Sequence, residues 1–303
     1  MAFSKPPSTD GFAKLLVRMS LGFLLVVVLA AVFLPEFYPE HLRSESEHQF
    51  APPSGDFVMG ADLHGRDLSY RLLQGARISL LVGVAGAMVS LVIGTLYGLI
   101  AGYFGGRVDA VMMRFVDLFY AIPRLIFIII LINFLEEPVA AWMTDAWRDT
   151  PLYPLRNYSK IFLMILALGC IEWLILARLV RAQVLSLKQR LFVDASRALG
   201  QSHFGILMKH LLPNLRGLIL VYLGLTIPTV MIDEAFISFI GLGLDASQAS
   251  WGVLLRDGAQ ALNPIESCWW LLVFPAGFMS LTLLALNFIA DSLQESRGGR
   301  GAS

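Results

Sequence analysis

The sequence has 303 residues, of which 56% are hydrophobic and only 15% are charged, and its mean hydropathy is +0.68. Soluble domains contain about 25% charged residues, so this much apolar surface requires surrounding lipid and predicts an all-α integral membrane protein. The 23 Lys and Arg residues balance the 23 Asp and Glu residues, which argues against a nucleic-acid partner, and two cysteines inside apolar runs argue against a disulfide framework or a zinc site.

Six apolar segments are long enough to cross a bilayer as helices, which takes about 20 residues each. The first, at 19–35, lies in an N-terminal region of residues 1–73, and the other five form a transmembrane domain of residues 74–295. These five core spans are predicted at 78–103, 116–135, 161–183, 214–234 and 268–290. The polar, Gly-rich tail at 296–303 is predicted to be disordered.

The first span is interpreted as a retained helix and not as a cleaved signal peptide. It ends in Phe33-Leu34-Pro35, which lacks the small residues of a cleavage site. With six retained spans, both termini and the loops after the second and fourth spans lie on the same side of the membrane. This side carries an excess of lysines and arginines. The positive-inside rule therefore predicts that both termini lie in the cytoplasm.

The second span carries small residues at every fourth position, namely Ser90, Gly94, Gly98 and Gly102. Residues four apart share one face of a helix, and small side chains let two helix backbones approach closely. This face is predicted to be a packing seam for another helix, from the same chain or from a second subunit. The alternative is that these glycines only reflect the composition of membrane helices.

Three prolines, Pro123, Pro228 and Pro275, fall inside the predicted third, fifth and sixth spans. A proline removes one backbone donor and kinks a helix, and helix bundles tolerate this when neighbours satisfy the freed carbonyl. The kinks mark either moving parts of a gate or ordinary tolerated prolines. Arg124, near the start of the third span, is predicted to extend to the lipid headgroups.

Glu172 is the most deeply placed ionisable residue, roughly 16 Å below the start of the fourth span along the helix. Ionisable groups within the membrane mark substrate or proton pathways, so Glu172 and Glu234 are the candidate pathway residues. The alternative role for Glu172 is a structural hydrogen bond to another helix. A stand-alone proton-coupled carrier built around Glu172 is a further alternative at this point.

Motifs for catalysis or ATP binding are missing from the sequence. No lysine follows a glycine, which excludes the phosphate-binding loop GxxxxGK(S/T). The metal, redox and hydrolase patterns HExxH, CxxC and GxSxG are also missing. The chain is therefore predicted not to be an enzyme and to bind no cofactor or metal itself.

The most informative segment lies between the fourth and fifth spans. A helix through Asp194–Leu199 is predicted to end at Gly200, and Ser202 is predicted to cap a second helix that reaches Leu211 and is terminated by Pro213. Apolar residues among basic ones in two capped helices suit a docking surface for a soluble partner. A helix that lies on the lipid surface is the alternative.

This segment resembles the EAA loop of ABC importer permeases. The resemblance lies in the stretches 194–200 and 211–214, and the residues it assigns to coupling are Asp194, Ala195, Ser196, Ala198, Gly200, Leu212 and Pro213. The sequence departs from the family pattern in having Asp194 for Glu and Ser196 for the second Ala. The resemblance implies that these residues form the ATPase-coupling loop, which inserts into a cleft of an ATPase subunit and transmits its closure to the membrane helices.

Three further segments, at 59–80, 177–187 and 234–252, resemble the C-type permease subunits of dipeptide and oligopeptide importers, the peptide/nickel class of ABC importers. The likeness runs in register from residue 56 to residue 293. It departs in the outer loop at 136–160, which is longer than the family pattern and is expected to touch a binding protein or a partner subunit.

The resemblance implies the type I ABC importer fold with six transmembrane helices in the bacterial cytoplasmic (inner) membrane. It implies four kinds of partner: a homologous B-type permease subunit, two ATP-binding subunits that use ATP and Mg, a periplasmic or extracytoplasmic solute-binding protein, and membrane lipid. The expected activity is ATP-driven uptake of peptides by alternating access. Nickel chelates, glutathione and antimicrobial peptides are alternative substrates within the same class.

Overall fold

The computed structural model describes residues 9–245, 248–262 and 267–300, and the regular secondary structure within them is helical. The α-helices in chain order are α1 (Thr9–Phe37), α2 (Glu40–Arg43), α3 (Leu68–Phe104), α4 (Gly106–Tyr120), α5 (Arg124–Trp147), α6 (Ser159–Leu187), α7 (Leu191–Ala198), α8 (His203–Ile206), α9 (Leu212–Phe239), α10 (Trp251–Gln260) and α11 (Trp270–Arg300). A 3-10 helix at Tyr153–Tyr158 precedes α6, and a π-helix at Leu207–Leu211 joins α8 to α9.

Within the described residues, six helical segments are long and apolar enough to cross a membrane, as the sequence predicts. They are Lys14–Phe37, Leu68–Phe104, Arg124–Trp147, Tyr153–Leu187, His203–Phe239 and Trp270–Glu295. Contacts divide the chain into two compact units: one holds the residues up to Leu81 and those from Ser238 onward, and the other is Val82–Ile237.

The predicted third span, 116–135, is wrong in its course. Helix α4 ends at Tyr120, and α5 begins at Arg124 with Pro123 as its N-cap residue. Pro123 therefore lies between two helices and not inside one, because a proline disfavours helical conformation in the residue before it. Pro228 and Pro275 do lie inside α9 and α11, as predicted.

The predicted outer loop at 136–160 is also largely helical. Helix α5 continues to Trp147, and the 3-10 helix at Tyr153–Tyr158 leads into α6. The error arises because charged residues end an apolar run without ending a helix. Here Glu136 pairs with Lys160 of α6 at 3.2 Å, so the helical hairpin continues beyond the apolar stretch.

The end of the chain differs from the prediction as well. Helix α11 runs to Arg300, so the backbone of residues 296–300 is helical and not disordered. A helix that has already formed extends at little cost per residue, even through polar sequence. Residues 301–303 of the predicted tail lie outside the described residues.

In the first unit, Arg77 of α3 compensates for the proline in α1. Pro35 has no N–H to donate to the Ala31 carbonyl one turn earlier. The Arg77 guanidinium donates to that carbonyl and to the Val32 carbonyl, and it also lies 3.3 Å from the Glu36 carboxylate. Helix α1 is therefore held against α3 at the position where its own hydrogen bonding is interrupted.

In the same unit, residues from two of the segments that carry the resemblance, 59–80 and 234–252, pack against each other. Trp251 at the start of α10 is 1% exposed, its indole N–H donates to the Leu72 carbonyl at 3.2 Å, and its backbone N–H donates to the Ser79 hydroxyl at 3.1 Å. A Cβ at Gly75 would lie 2.9 Å from the Trp251 ring. The segments at 59–80 and 234–252 are therefore joined by packing in this unit.

Candidate coupling loop and intramembrane charge cluster

The predicted seam on α3 packs against α6 of the same chain. A Cβ atom at each seam glycine would lie 2.7 to 2.8 Å from a Cβ atom of α6, in the pairs Gly94–Leu176, Gly98–Val180 and Gly102–Val184. Real Cβ atoms do not approach so closely, so only glycine permits this separation of the two backbones. Ser90, the first residue of the series, is fully buried.

In the loop between α6 and α9, the turn from α7 to α8 has the local structure that its sequence predicts. Gly200 follows α7 with a φ of 73°, and its N–H donates to the Arg197 carbonyl at 2.9 Å. Only glycine, and to a lesser degree asparagine, adopts this left-handed conformation readily. Ser202 then caps α8, because its hydroxyl accepts a hydrogen bond from the Gly205 N–H at 3.1 Å.

Pro213 does not terminate the second helix, which corrects the prediction for the end of the loop. A π-helix at Leu207–Leu211 leads directly into α9, and the Leu212 N–H donates to the Leu207 carbonyl five residues earlier. The wider π turn accommodates the proline ring, which would clash in a regular α turn. The loop is therefore continuous with the fifth membrane helix.

One side of this loop is buried and the other exposes apolar side chains. Val193, Ile206 and Leu211 are fully buried, whereas Leu191 is 86% and Leu199 is 87% exposed. The predicted coupling residues divide between the two sides. Exposed positions are Asp194, Ala195, Ala198, Gly200 and Pro213, whereas Leu212 is half-buried and Ser196 is buried.

The buried side of the loop belongs to the same apolar core as the membrane helices around it. This core consists of Leu99, Tyr103, Leu176, Val180, Val184, Leu187, Val193, Ile206, Leu207, Leu211, Leu215 and Tyr222. It joins α3, α6 and α9 to α7, α8 and the π-helix. Close-packed cores transmit displacement with little compression, so a force on the loop moves the ends of these helices.

The loop is also attached to the end of α3 by polar contacts that the sequence analysis missed. The Tyr103 hydroxyl lies 2.8 Å from Nδ1 of His203, and the Arg197 guanidinium lies 5.6 Å from the centre of the Tyr103 ring. Lys188 Nζ donates to the Gly102 carbonyl at 3.1 Å, which satisfies a backbone acceptor at the end of α3. No local sequence pattern indicates the pairing of Tyr103 with His203.

Helices α4 and α5 run antiparallel to α6, and ion pairs connect them along their length. The pairs are Asp109–Arg181, Asp117–Arg178, Arg124–Glu172 and Glu136–Lys160. The first pair is bidentate. The spacing of these pairs fixes the register of α4 and α5 against α6.

Arg124 is the centre of a three-residue charge cluster and does not extend to the headgroups as predicted. Its Nη1 lies 2.6 Å from Oε1 of Glu172 on α6, and its Nη2 lies 2.7 Å from Oδ1 of Asp233 on α9. Two buried carboxylates hold the guanidinium more strongly than distant headgroups can. We refer to Arg124, Glu172 and Asp233 as the charge cluster.

The charge cluster joins α5, α6 and α9, and it contains Glu172, one of the two candidate pathway residues. The side chains of Glu172 and Asp233 are each 5% exposed, whereas that of Arg124 is 40% exposed. The Tyr222 hydroxyl donates to the Glu172 backbone carbonyl at 2.6 Å, a further link between α9 and α6. Glu234, the other candidate, is fully buried in α9.

A half-open cavity of about 360 Å³ borders the charge cluster. Arg124 and Glu172 line it together with apolar and aromatic side chains from the end of α4 and from α6. The cavity includes the break between α4 and α5, where Ile122 and Pro123 lie. Secondary transporters typically form their substrate sites where membrane helices are interrupted.

Comparison with known proteins identifies close relatives along most of the chain. Residues 94–296 match the family described as binding-protein-dependent transport system inner membrane component. The chain is 40% identical over 280 residues to the oligopeptide transport system permease protein OppC of Haemophilus influenzae, covering 91% of this chain and 82% of that protein. It is 38% identical over 282 residues to the dipeptide transport system permease protein DppC of Bacillus subtilis, covering 93% of this chain and 81% of that protein.

The fold is similar to that of a solved structure of the MetNI methionine ABC transporter in an inward-facing conformation. The TM-score is 0.51 with 19% sequence identity, and the match covers 75% of this chain and 97% of the other. At this identity the likeness concerns the fold alone, and it supports the type I importer architecture predicted from the sequence.

Proposed function

The chain belongs to the family of binding-protein-dependent transport system inner membrane components, and we propose on this premise that it is the permease subunit of an ATP-driven peptide importer. The observation that carries the proposal is the loop at 194–213. Its exposed side carries large apolar residues, and its buried side continues the core of the membrane helices. An exposed apolar surface of this kind is typical of a protein–protein interface. An ATPase subunit that binds this surface would move α3, α6 and α9 through the shared core.

The proposed assembly contains this chain, a B-type permease subunit, two ATP-binding subunits that use ATP and Mg, and an extracytoplasmic solute-binding protein. The excess of lysines and arginines supports the proposal that the loop and both termini lie on the cytoplasmic side of the inner membrane, where ATP is available. Binding of ATP closes the ATPase pair and pulls the loop. The membrane helices then reopen on the other side, and this chain itself makes and breaks no bond.

Peptides are the proposed substrate class because the relatives named above are oligopeptide and dipeptide permeases. Nickel chelates, glutathione and antimicrobial peptides are the alternatives, and competition experiments separate them. A stand-alone proton-coupled carrier is less favoured, because Glu172 is paired with Arg124 and the exposed loop has no role in such a carrier.

Co-purification followed by reconstitution tests the proposal. The tagged chain is isolated from native membranes, and the bound proteins are identified; we expect a second permease and two ATP-binding subunits. The recovered complex is then placed in proteoliposomes with its binding protein, and ATP-driven uptake of labelled di- and tripeptides is measured with nickel chelates and glutathione as competitors.

Two results would contradict the proposed function. The first is recovery of the chain without any ATP-binding protein, combined with transport by the chain alone. The second is ATP-dependent uptake that peptides do not support and that a nickel chelate or glutathione does. The first outcome would contradict the coupling role of the loop, whereas the second would contradict only the proposed substrate class.

A further inference from the structure

The charge cluster lies at a depth where hydrocarbon surrounds the protein. Along α6, Glu172 is about 18 Å from Lys160 and about 9 Å from Arg178, at the rise of an α-helix. Lys160 and Arg178 mark the polar ends of the apolar stretch of this helix. The cluster is therefore inside the membrane, at the same level as the break between α4 and α5.

The exposure of Arg124 indicates what this part of the molecule faces. Its side chain is 40% exposed, although both of its carboxylate partners are buried. A guanidinium at this depth is too costly to leave against lipid tails, and such groups face a water-filled cavity or another protein subunit. In an importer with two permease subunits, which is the proposed function, the translocation pathway is an environment of this kind.

The charges of the cluster do not balance. Within the described residues, Glu172 and Asp233 both pair with Arg124, so two carboxylates share one guanidinium. The second oxygen of Asp233, Oδ2, is buried and has no hydrogen-bond partner. The end of α4 contributes a partial negative charge and the start of α5 a similar positive one, and these roughly cancel. With both carboxylates ionised, the cluster therefore carries one negative charge that a cationic ligand can neutralise.

The cavity beside the cluster has a volume and a lining that suit an amine attached to an apolar group. Its volume of about 360 Å³ lies within the range of small-molecule sites. Glu172 lines it together with Phe119, Tyr120 and Leu174. Aromatic faces attract cations and also contact aliphatic side chains.

We propose that the charge cluster is a subsite of the translocation pathway that binds the N-terminal ammonium group of the transported peptide. The ammonium group donates hydrogen bonds to Glu172 and supplies the missing positive charge. The first side chain of the peptide occupies the apolar part of the cavity. This inference rests on the proposed function and adds to it a recognition site within the membrane.

The test compares a labelled tripeptide with its des-amino analogue, which lacks the ammonium group and is otherwise of the same shape. Uptake of both is measured in proteoliposomes that hold the complete importer, at binding-protein concentrations that saturate for either peptide. We expect Glu172→Gln to lower uptake of the free-amine peptide about tenfold or more, with little change for the analogue. The matched control is Glu136→Gln, which alters an ion pair between the same two helices away from the cavity and leaves the ratio unchanged.

The variant is suited to the test because Glu172→Gln leaves Arg124 and Asp233 as a neutral pair. Recovery of the complex and its basal ATP hydrolysis show whether the Glu172→Gln importer assembles. If this variant does not assemble, Asp233→Asn removes the same charge from α9 instead. We expect Asp233→Asn to shift the ratio of free-amine to des-amino peptide uptake in the same direction. Equal losses for both peptides, or no loss, overturn the inference while peptide transport itself persists. A wild-type importer that takes up no peptide overturns the proposed function and this inference with it.

Discussion

Gly200 ends α7 in a left-handed conformation that other residues adopt only at a cost. Its φ is 73°, and a Cβ built there would meet nothing within 4 Å, so a substitution strains the backbone without a clash. The strain is about 1–2 kcal/mol for an ordinary residue and is higher for a β-branched one. We expect Gly200→Val to lower peptide uptake and binding-protein-stimulated ATP hydrolysis, measured in proteoliposomes with the complete importer.

Gly200→Asn is the control for this prediction, because asparagine tolerates the left-handed region. It should keep most of the uptake that Gly200→Val loses. Normal coupling in both variants would show that the turn between α7 and α8 plays no part in transmission.

Arg77 offers a residue-scale prediction in the first unit, through the carbonyl that Pro35 leaves unpaired. Arg77→Met removes the donors to Ala31 and Val32, and leaving a buried carbonyl unpaired costs about 1–3 kcal/mol. In a Pro35→Ala background the same change should cost less, because an alanine at this position donates its own N–H to Ala31. Thermal unfolding of the four proteins in detergent measures the coupling, and equal effects in both backgrounds would contradict it.

Residue-scale predictions from the sequence succeed where the chemistry is local. Gly200 and Ser202 are identified because caps depend on a few neighbouring residues. Arg124 is misplaced because its partners Glu172 and Asp233 are 48 and 109 residues away, so nothing near Arg124 indicates them. A carboxylate deep in one predicted span and an arginine in another are the only sequence signals that point to such a pair.

Helices α3 and α6 approach so closely that small movements of one are carried to the other, and Tyr103 extends this connection to the coupling loop. Tyr103→Phe removes the hydrogen bond to His203 and leaves the ring in the core. A single hydrogen bond contributes about 0.5–1.5 kcal/mol, so we expect the uptake obtained per ATP hydrolysed to fall several-fold. The measurement is parallel uptake and phosphate release in the same proteoliposomes.

Tyr97 provides a matched control on the same helix. Its hydroxyl donates to the Met112 carbonyl at 2.9 Å, away from the coupling loop, so Tyr97→Phe removes one hydrogen bond without touching the connection. If both variants lower the ratio of uptake to hydrolysis equally, Tyr103 contributes only to stability.

At the scale of helices, hydropathy locates the six spans well and their ends poorly. Most of each apolar run lies within helices of the structure, but α3 begins before its predicted span and α5 continues well beyond its own. Lipid solvation determines only which residues can be inside the membrane, whereas helix ends depend on caps, prolines and contacts such as Glu136–Lys160. The break at Pro123 was missed because the apolar pattern continues across it.

For the whole molecule, composition predicts the class, and sequence motifs predict the family, which the relatives confirm. The proposed importer is a larger assembly, so its stability would depend on surfaces that have no partner in the single chain. The apolar side of the loop between α6 and α9 is the surface for which an ATPase partner is proposed. Leu199 is 87% exposed there, next to the turn at Gly200.

Leu199→Glu should prevent assembly without affecting the fold of this chain, because the side chain contacts little within it. Removing an anchor residue from an interface commonly costs 2 kcal/mol or more, which corresponds to roughly a 30-fold loss of affinity. We expect the tagged variant to reach the membrane in normal amounts with its partner permease and to lose the ATP-binding subunits on purification. Val58→Glu, at an exposed apolar residue outside the loop, should retain them. Retention of the ATP-binding subunits by Leu199→Glu would show that this side of the loop is not gripped by the ATPase.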